Sequence, residues 1–86
     1  MPELLRSGRP APARVVNVVD ERVVGPVTRS RLTLQVQPGE GADPFEVVLR
    51  HAFPTPEARS RVRVGGSVGV RYDPEHPLKV VLDPDA

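Results

Sequence analysis

The sequence predicts an all-β fold: a small barrel of five short strands, with one short helix between the third and fourth strands. Valine is frequent among the 86 residues and isoleucine is absent. A side chain branched at Cβ suits a pleated sheet better than a helix. Apolar and polar residues also alternate in several segments, which is the period of a half-buried strand. A chain of this length forms one domain, and closing five short strands into a barrel removes exposed edges.

The first strand is predicted over residues 13–20, "ARVVNVVD", where apolar side chains fall on both faces. Residues 1–12 are rich in Pro, Arg and Gly and are interpreted as a flexible N-terminal arm. The barrel domain is therefore expected to span residues 13–86. The next segment is "ERVVGPVT", and Gly25-Pro26 breaks it into a hairpin-like excursion.

Two segments alternate cleanly and predict the second and third strands. Residues 29–37, "RSRLTLQVQ", place three aliphatic side chains on one face, and residues 45–53, "FEVVLRHAF", repeat the pattern. The composition of residues 38–44, "PGEGADP", is that of a loop. Because a loop joins them, the two strands are expected to pair antiparallel.

A short helix is predicted directly after the third strand. Thr55 is a good N-cap, Pro56 suits the first helical position, and Glu57 suits the positive end of the helix dipole. Gly65-Gly66 is a typical helix end. The expected length is about two turns.

The last two strands are predicted over "SVGVRY" and "LKVVLD", joined by residues 73–77, "DPEHP", and Leu78 is expected on the inner face of the last strand. Two acids and His76 within so few residues could form a catalytic or metal site. However, Pro74 and Pro77 cannot continue a strand ladder, and Asp before Pro is a common turn opener. A metal would need more ligands than this loop supplies rigidly. The cluster is interpreted as a turn, so no catalytic, metal or cofactor site is predicted there.

Three segments, "ARVVNVVD", "LTLQVQPGEGADPFEVVLR" and "VGGSVGVRYDPEHPLKVVLD", together resemble short bacterial OB-like domains of unknown function. The most specific feature is a glycine-led strand, then Asp-Pro and a second proline, then a final strand that ends in Leu-Asp. The resemblance covers nearly the whole chain after Pro12. It implies an OB-like barrel whose helix plugs one end, and it implies no activity. The soluble domain of NfeD-type membrane proteins is a looser relative.

Composition argues against several functions. The net charge of +1 and the pI near 8.4 are low for a protein held to nucleic acid by charge alone. Without cysteine there is no disulfide, thiol nucleophile or thiolate metal site. "VGGSVG" lacks the lysine of a P-loop, so no cofactor is predicted. No apolar run approaches ~20 residues and no signal-peptide pattern is visible, so a cytoplasmic protein without a membrane partner is expected.

The favoured function is that of a non-catalytic module that contacts another protein. OB-folds often bind single-stranded nucleic acid by stacking bases on exposed aromatic rings. All three aromatic residues of this chain fall on inward positions: Phe45, Phe53 and Tyr72. A binder of single-stranded nucleic acid or another polyanion is therefore the alternative. His51, also inward, is interpreted as partly buried and bonded to a backbone carbonyl, with a pH-sensitive contact as the sharper alternative.

The arginines of the second and third strands form the candidate site. In an antiparallel pair, inward residues oppose inward residues. Arg50 is therefore expected opposite Arg31 or opposite Thr33. In both registers Arg29, Arg31 and Arg50 gather at one end of the exposed face, where they would dock an acidic partner surface. The alternative is that a carboxylate of this chain pairs with them, with three candidates: Asp20, Glu21 and Glu57.

Overall fold

The computed structural model describes residues 8–39 and 41–82 of the chain. Within these residues the elements are β1 (Arg9–Val24), β2 (Val27–Val36), β3 (Phe45–Phe53), α1 (Pro56–Ser60), β4 (Ser67–Asp73) and β5 (His76–Leu82). They form one antiparallel sheet in the order β3-β2-β1-β4-β5. The two end strands approach within 8 Å between Cα atoms, so the barrel is nearly closed. The predicted all-β barrel with a helix between its third and fourth strands is confirmed.

β1 begins inside the segment that was assigned to the N-terminal arm. Residues 9–12 pair with β4, whereas pairing with β2 starts only at Ala13. Pro10 and Pro12 indicated coil, but a strand with a ladder on one side alone has room for residues that lack an N–H. The strand is therefore longer at its start than predicted. The rest of the predicted arm, residues 1–7, lies outside the described residues.

The excursion after the first predicted strand is the continuation of a long β1–β2 hairpin. Pairing runs to Val24 and Val27, which leaves a two-residue turn at Gly25-Pro26. Gly25 has φ +57, and tight hairpin turns of this length need a positive φ at their first central residue. The prediction that the first strand stops at Asp20 is thus wrong, because the glycine-proline pair forms the turn itself.

Two β-bulges explain the apolar side chains on both faces of β1. The register against β2 shifts between Val15 and Asn17, and again between Asp20 and Arg22. Val16 and Glu21 are the extra residues. A bulge puts two residues opposite one and switches the faces that follow it. Consequently Val15 and Val18 both contact the core, although strict alternation would place them on opposite faces.

The core fills the barrel, and β1, β2 and β4 supply most of its residues. The aromatic rings of Phe45 and Tyr72 meet edge to face, with centroids 5.7 Å apart. The buried apolar residues are Ala11, Ala13, Val15, Leu32, Leu34, Val36, Val47, Phe53, Val62, Val70, Tyr72 and Val80. Leu78, expected inside, is 72% exposed. The β4–β5 ladder shifts register after Tyr72, which pairs with Val80, so the residues just before Val80 loop outward.

The helix α1 follows β3 as predicted but is shorter than two turns. Thr55 caps it, and its Oγ1 accepts a hydrogen bond from the N–H of Ala58 at 3.1 Å. The helix ends at Ser60, well before Gly65-Gly66. The chain leaves the helix early because Val62 turns into the core, where it is 7% exposed.

Candidate functional site

The predicted arginines lie together on the outer surface of the barrel. Arg31 faces Arg50 across β2 and β3, which confirms the first of the two predicted registers. On the other side of β2, Arg22 of β1 faces Arg29. These four exposed residues form two adjacent rows across the strands. We call them the outer arginine face: Arg22, Arg29, Arg31 and Arg50.

The second bulge of β1 determines which side chain stands beside Arg29. Asp20 pairs with Ser30 on the inner side of the sheet, and the next residue of β2, Arg29, pairs with Arg22. Glu21 is the extra residue between these two pairs. The bulge therefore adds Arg22 to the outer surface, directly opposite another arginine.

Glu21 neutralises part of the outer arginine face. Its Oε1 accepts a hydrogen bond from Nε of Arg50 at 3.0 Å, and its Oε2 lies 3.9 Å from Nη1 of Arg31. Internal pairing, the alternative to partner docking, is thus present for two of the predicted arginines. Among the described residues, Arg22 and Arg29 have no acidic partner. Exposed ion pairs of this kind contribute little to stability.

A groove of about 700 Å³ lies beside the unpaired arginines. Its lining consists of Glu21, Arg22, Arg29, Arg50, His51 and Ala52. A volume of this order accommodates several side chains of a ligand. Ala52 is the cross-strand partner of Arg29 in β3, and its short side chain leaves the space that a larger residue in this row would fill.

The outer arginine face borders exposed aliphatic side chains. Val19 pairs with Arg31 and is 36% exposed, and Val48 pairs with Thr33 in the neighbouring row and is 57% exposed. The surface therefore offers positive charge and apolar area side by side.

On the inner side of the same strands, Asp20, Ser30 and His51 form one row. These residue types occur in serine hydrolases, where histidine accepts the proton of the serine. Here Oγ of the fully buried Ser30 donates to Oδ1 of Asp20 at 2.7 Å. Nε of Arg59, from α1, donates to the same oxygen at 2.5 Å. The serine is thus directed to the carboxylate, and the row anchors the helix to the sheet.

The surroundings lower the pKa of two residues in this inner row, Asp20 and His51. The hydrogen bond from Arg59, followed by that from Ser30, lowers the pKa of Asp20 below its ordinary value of 3.8. Burial lowers the pKa of His51 below 6.5, because the cation loses contact with water.

His51 is half-buried, as expected, but its partner differs from the prediction. Its ring packs edge to face on Phe53, with the centroids 4.7 Å apart. Within the described part of the chain, no hydrogen bond joins it to a backbone carbonyl. Packing of the two rings therefore holds His51 at this end of the barrel.

Within the cluster "DPEHP", Pro74 and Glu75 form the turn between β4 and β5, and Asp73 pairs with His76 at the ends of the two strands. Oδ1 of Asp73 accepts a hydrogen bond from the N–H of Glu75 at 2.9 Å, which closes the turn around Pro74. His76 is exposed at the start of β5. In residues 8–39 and 41–82, no three His, Cys, Asp or Glu side chains are grouped so that they could hold a metal ion.

Arg22 is the site residue that the sequence analysis missed. The signal was present in the turn. A two-residue turn at Gly25-Pro26 pairs Val24 with Val27, and counting back two residues along each strand brings Arg22 opposite Arg29. The interpretation of this segment as an excursion hid the pair.

Comparisons of the chain with protein-family models, with curated proteins and with solved structures gave no match. Across the described residues, no helix combines the length and the apolar character that crossing a membrane requires.

Proposed function

We propose that this protein is a non-catalytic interaction module, an OB-like barrel in the cytoplasm that contacts another protein through its outer arginine face. The observation that carries the proposal is the pairing of four exposed arginines in two cross-strand rows, with Glu21 as the carboxylate among them. Like charges side by side on a sheet are destabilising. An acidic partner surface would offset that repulsion.

The OB-like part of the proposal is supported by topology. The resemblance to bacterial OB-like domains implies a helix between the third and fourth strands at one end of the barrel. The strand order β3-β2-β1-β4-β5 and the position of α1 agree with that expectation.

The choice of a protein partner is supported by the neighbours of the arginines. Val19 and Val48 add exposed aliphatic area to the same surface. The aromatic side chains point away from it: Phe53 and Tyr72 are buried, and Phe45 packs on Tyr72. Apolar area beside positive charge suits a polypeptide better than a sugar-phosphate chain, which gains most from exposed aromatic rings.

Site-specific crosslinking tests this proposal. A photoreactive residue placed at Val48 should form defined protein adducts in native lysate. The double substitution Arg31→Glu with Arg50→Glu should abolish them. The matched control is Arg61→Glu with Lys79→Glu, which changes the net charge equally at two exposed residues outside the groove. Unchanged adducts in a folded Arg31/Arg50 variant would show that this surface is not the binding site.

The alternative function is that of an OB-type binder of single-stranded nucleic acid or another polyanion. The observation in its favour is the same excess of arginine on one face. Titration of labelled single-stranded DNA and RNA at low and moderate salt separates the two functions. Useful affinity with a steep salt dependence would replace the protein partner by a polyanion.

A further inference from the structure

The outer arginine face consists of two pairs of arginines that differ in their contact with Glu21. The guanidinium groups of Arg31 and Arg50 already share its carboxylate, at 3.9 and 3.0 Å. An acidic ligand would have to compete with Glu21 for them. Arg22 and Arg29 are without such a competitor in the described part of the chain. The pair Arg22 and Arg29 is therefore the more favourable place for an incoming anion.

The geometry of the Arg22–Arg29 pair suits a carboxylate. Arg22 and Arg29 are direct cross-strand partners, and the Cβ atoms of such partners lie about 5 Å apart. Both guanidinium groups can therefore reach one anionic group, and the planar guanidinium matches the two oxygens of a carboxylate. One anion between them would also relieve their mutual repulsion.

The groove beside this pair gives the ligand a place to lie. Ala52 continues the row of Arg22 and Arg29 in β3, and its small side chain keeps the groove open. Val19 lies in the next row of the same surface, and Val48 lies in the row after that. A chain that crosses the rows would meet the arginine pair first and exposed aliphatic side chains next.

We infer that Arg22 and Arg29 anchor a carboxylate of an acidic and aliphatic segment of a partner protein, which lies in the groove over Ala52. This inference rests on the proposed function and specifies its ligand. It adds Arg22 and Ala52 to the site and makes Glu21 an internal competitor of the partner. It also assigns Arg31 and Arg50 a secondary role.

The test uses short synthetic peptides and the full chain at low salt. The first probe alternates Glu and Val, the second replaces each Val by Ser, and an oligothymidylate of equal charge is the third. Affinity is measured by titration, and amide chemical shifts locate the bound probe. The Glu/Val peptide should bind more tightly than the other two probes and should shift the amides around Arg29 and Ala52.

Four variants distinguish the effect of charge on peptide binding from the effect of the shape of the groove. Arg22→Gln with Arg29→Gln should weaken binding of the Glu/Val peptide about tenfold, since two exposed ion pairs are lost. Ala52→Leu should weaken it without any change of charge. Glu21→Gln should tighten it. The control Arg61→Gln with Lys79→Gln removes two positive charges outside the groove and should have a much smaller effect.

Several results would overturn the inference. Absence of binding to the Glu/Val peptide is one, and equal losses in the Arg22/Arg29 variant and the control are another. If Arg31→Gln with Arg50→Gln abolishes crosslinking while the Arg22/Arg29 variant keeps it, the inference fails and the proposed function stands. If the oligothymidylate binds most tightly through the same residues, both fail.

Discussion

Arg59 of α1 donates a hydrogen bond from Nε to Oδ1 of Asp20 in β1, at 2.5 Å, and so joins the helix to a strand far away in the sequence. The same oxygen accepts the hydroxyl of Ser30. One carboxylate therefore serves a buried hydroxyl on the sheet and a partly exposed guanidinium on the helix. The helix that follows β3 is held over the end of the barrel by this contact together with the burial of Val62.

The first prediction concerns this carboxylate. Asp20→Ala leaves the buried hydroxyl of Ser30 without its acceptor, and we expect a loss of about 1–2 kcal/mol in the free energy of unfolding. Asp20→Asn keeps an acceptor oxygen and should cost less. Urea denaturation measures both. Adding Ser30→Ala to Asp20→Ala should recover part of the loss, and no recovery would mean that the hydroxyl is not the cause.

The second prediction is a stability loss at mildly acidic pH. The folded pKa of His51 lies below its ordinary value of 6.5, so the unfolded chain binds the proton first. Stability should therefore fall as pH drops below about 6.5, and level off once the folded protein is protonated as well. His51→Gln should remove this slope. An unchanged slope in the variant would assign it to another group.

The third prediction is a loss of stability at lower pH, caused by protonation of the Asp20 carboxylate. Its folded pKa is depressed, so its contribution is complete above 3.8 and is lost as pH falls through the folded value. A denaturation series in acid should show this loss in the wild type and not in Asp20→Asn. Because this side chain is 45% exposed, the contribution should also shrink at high salt.

The fourth prediction compares two residues near the last turn. His76→Ala should change the unfolding free energy by less than about 0.5 kcal/mol, because the side chain is exposed. Tyr72→Ala should cost roughly 3–5 kcal/mol, since a buried aromatic ring that packs on Phe45 is removed. Similar denaturation midpoints for the two variants would contradict this assignment.

The fifth prediction concerns the hairpin turn. Nothing lies within 4 Å of a Cβ added to Gly25, so its substitution is limited by φ +57 alone. Gly25→Ala should cost about 1–2 kcal/mol in unfolding free energy. Gly25→Asn should cost less, because asparagine tolerates this conformation better. Equal losses for both would point to a cause other than backbone strain.

The sequence predicted the parts of the barrel in which strands are regular. β2 and β3 pair without interruption, so the alternation of Leu32 and Leu34 on one strand and Leu49 on the other determines which faces meet. The alternation left two registers open, with Arg50 opposite Arg31 or opposite Thr33, and the structure has the first. The N-cap at Thr55 is likewise a local signal, and it located the start of the helix.

The parts that were missed depend on partners distant in sequence. Pro10 and Pro12 belong to a strand only because β4 pairs with them, and local composition cannot show that. Leu78 loops outward because the ladder shifts after Tyr72. The contacts of Glu21 depend on a bulge, which has no reliable sequence signature in an apolar strand. Arg22 was missed because its segment was interpreted as an excursion, although the turn at Gly25-Pro26 places it opposite Arg29.

The bulge at Glu21 has an evolutionary consequence. Since Asp20 and Arg22 pair with consecutive residues of β2, loss of the single codon for Glu21 would leave a regular ladder with the same partners. The core would be unchanged, whereas the outer surface would lose its internal counterion. A one-codon insertion or deletion at this point can thus raise or lower the attraction of the barrel for acidic ligands without repacking its interior. Mutation can act there as a tuning step that is separate from folding.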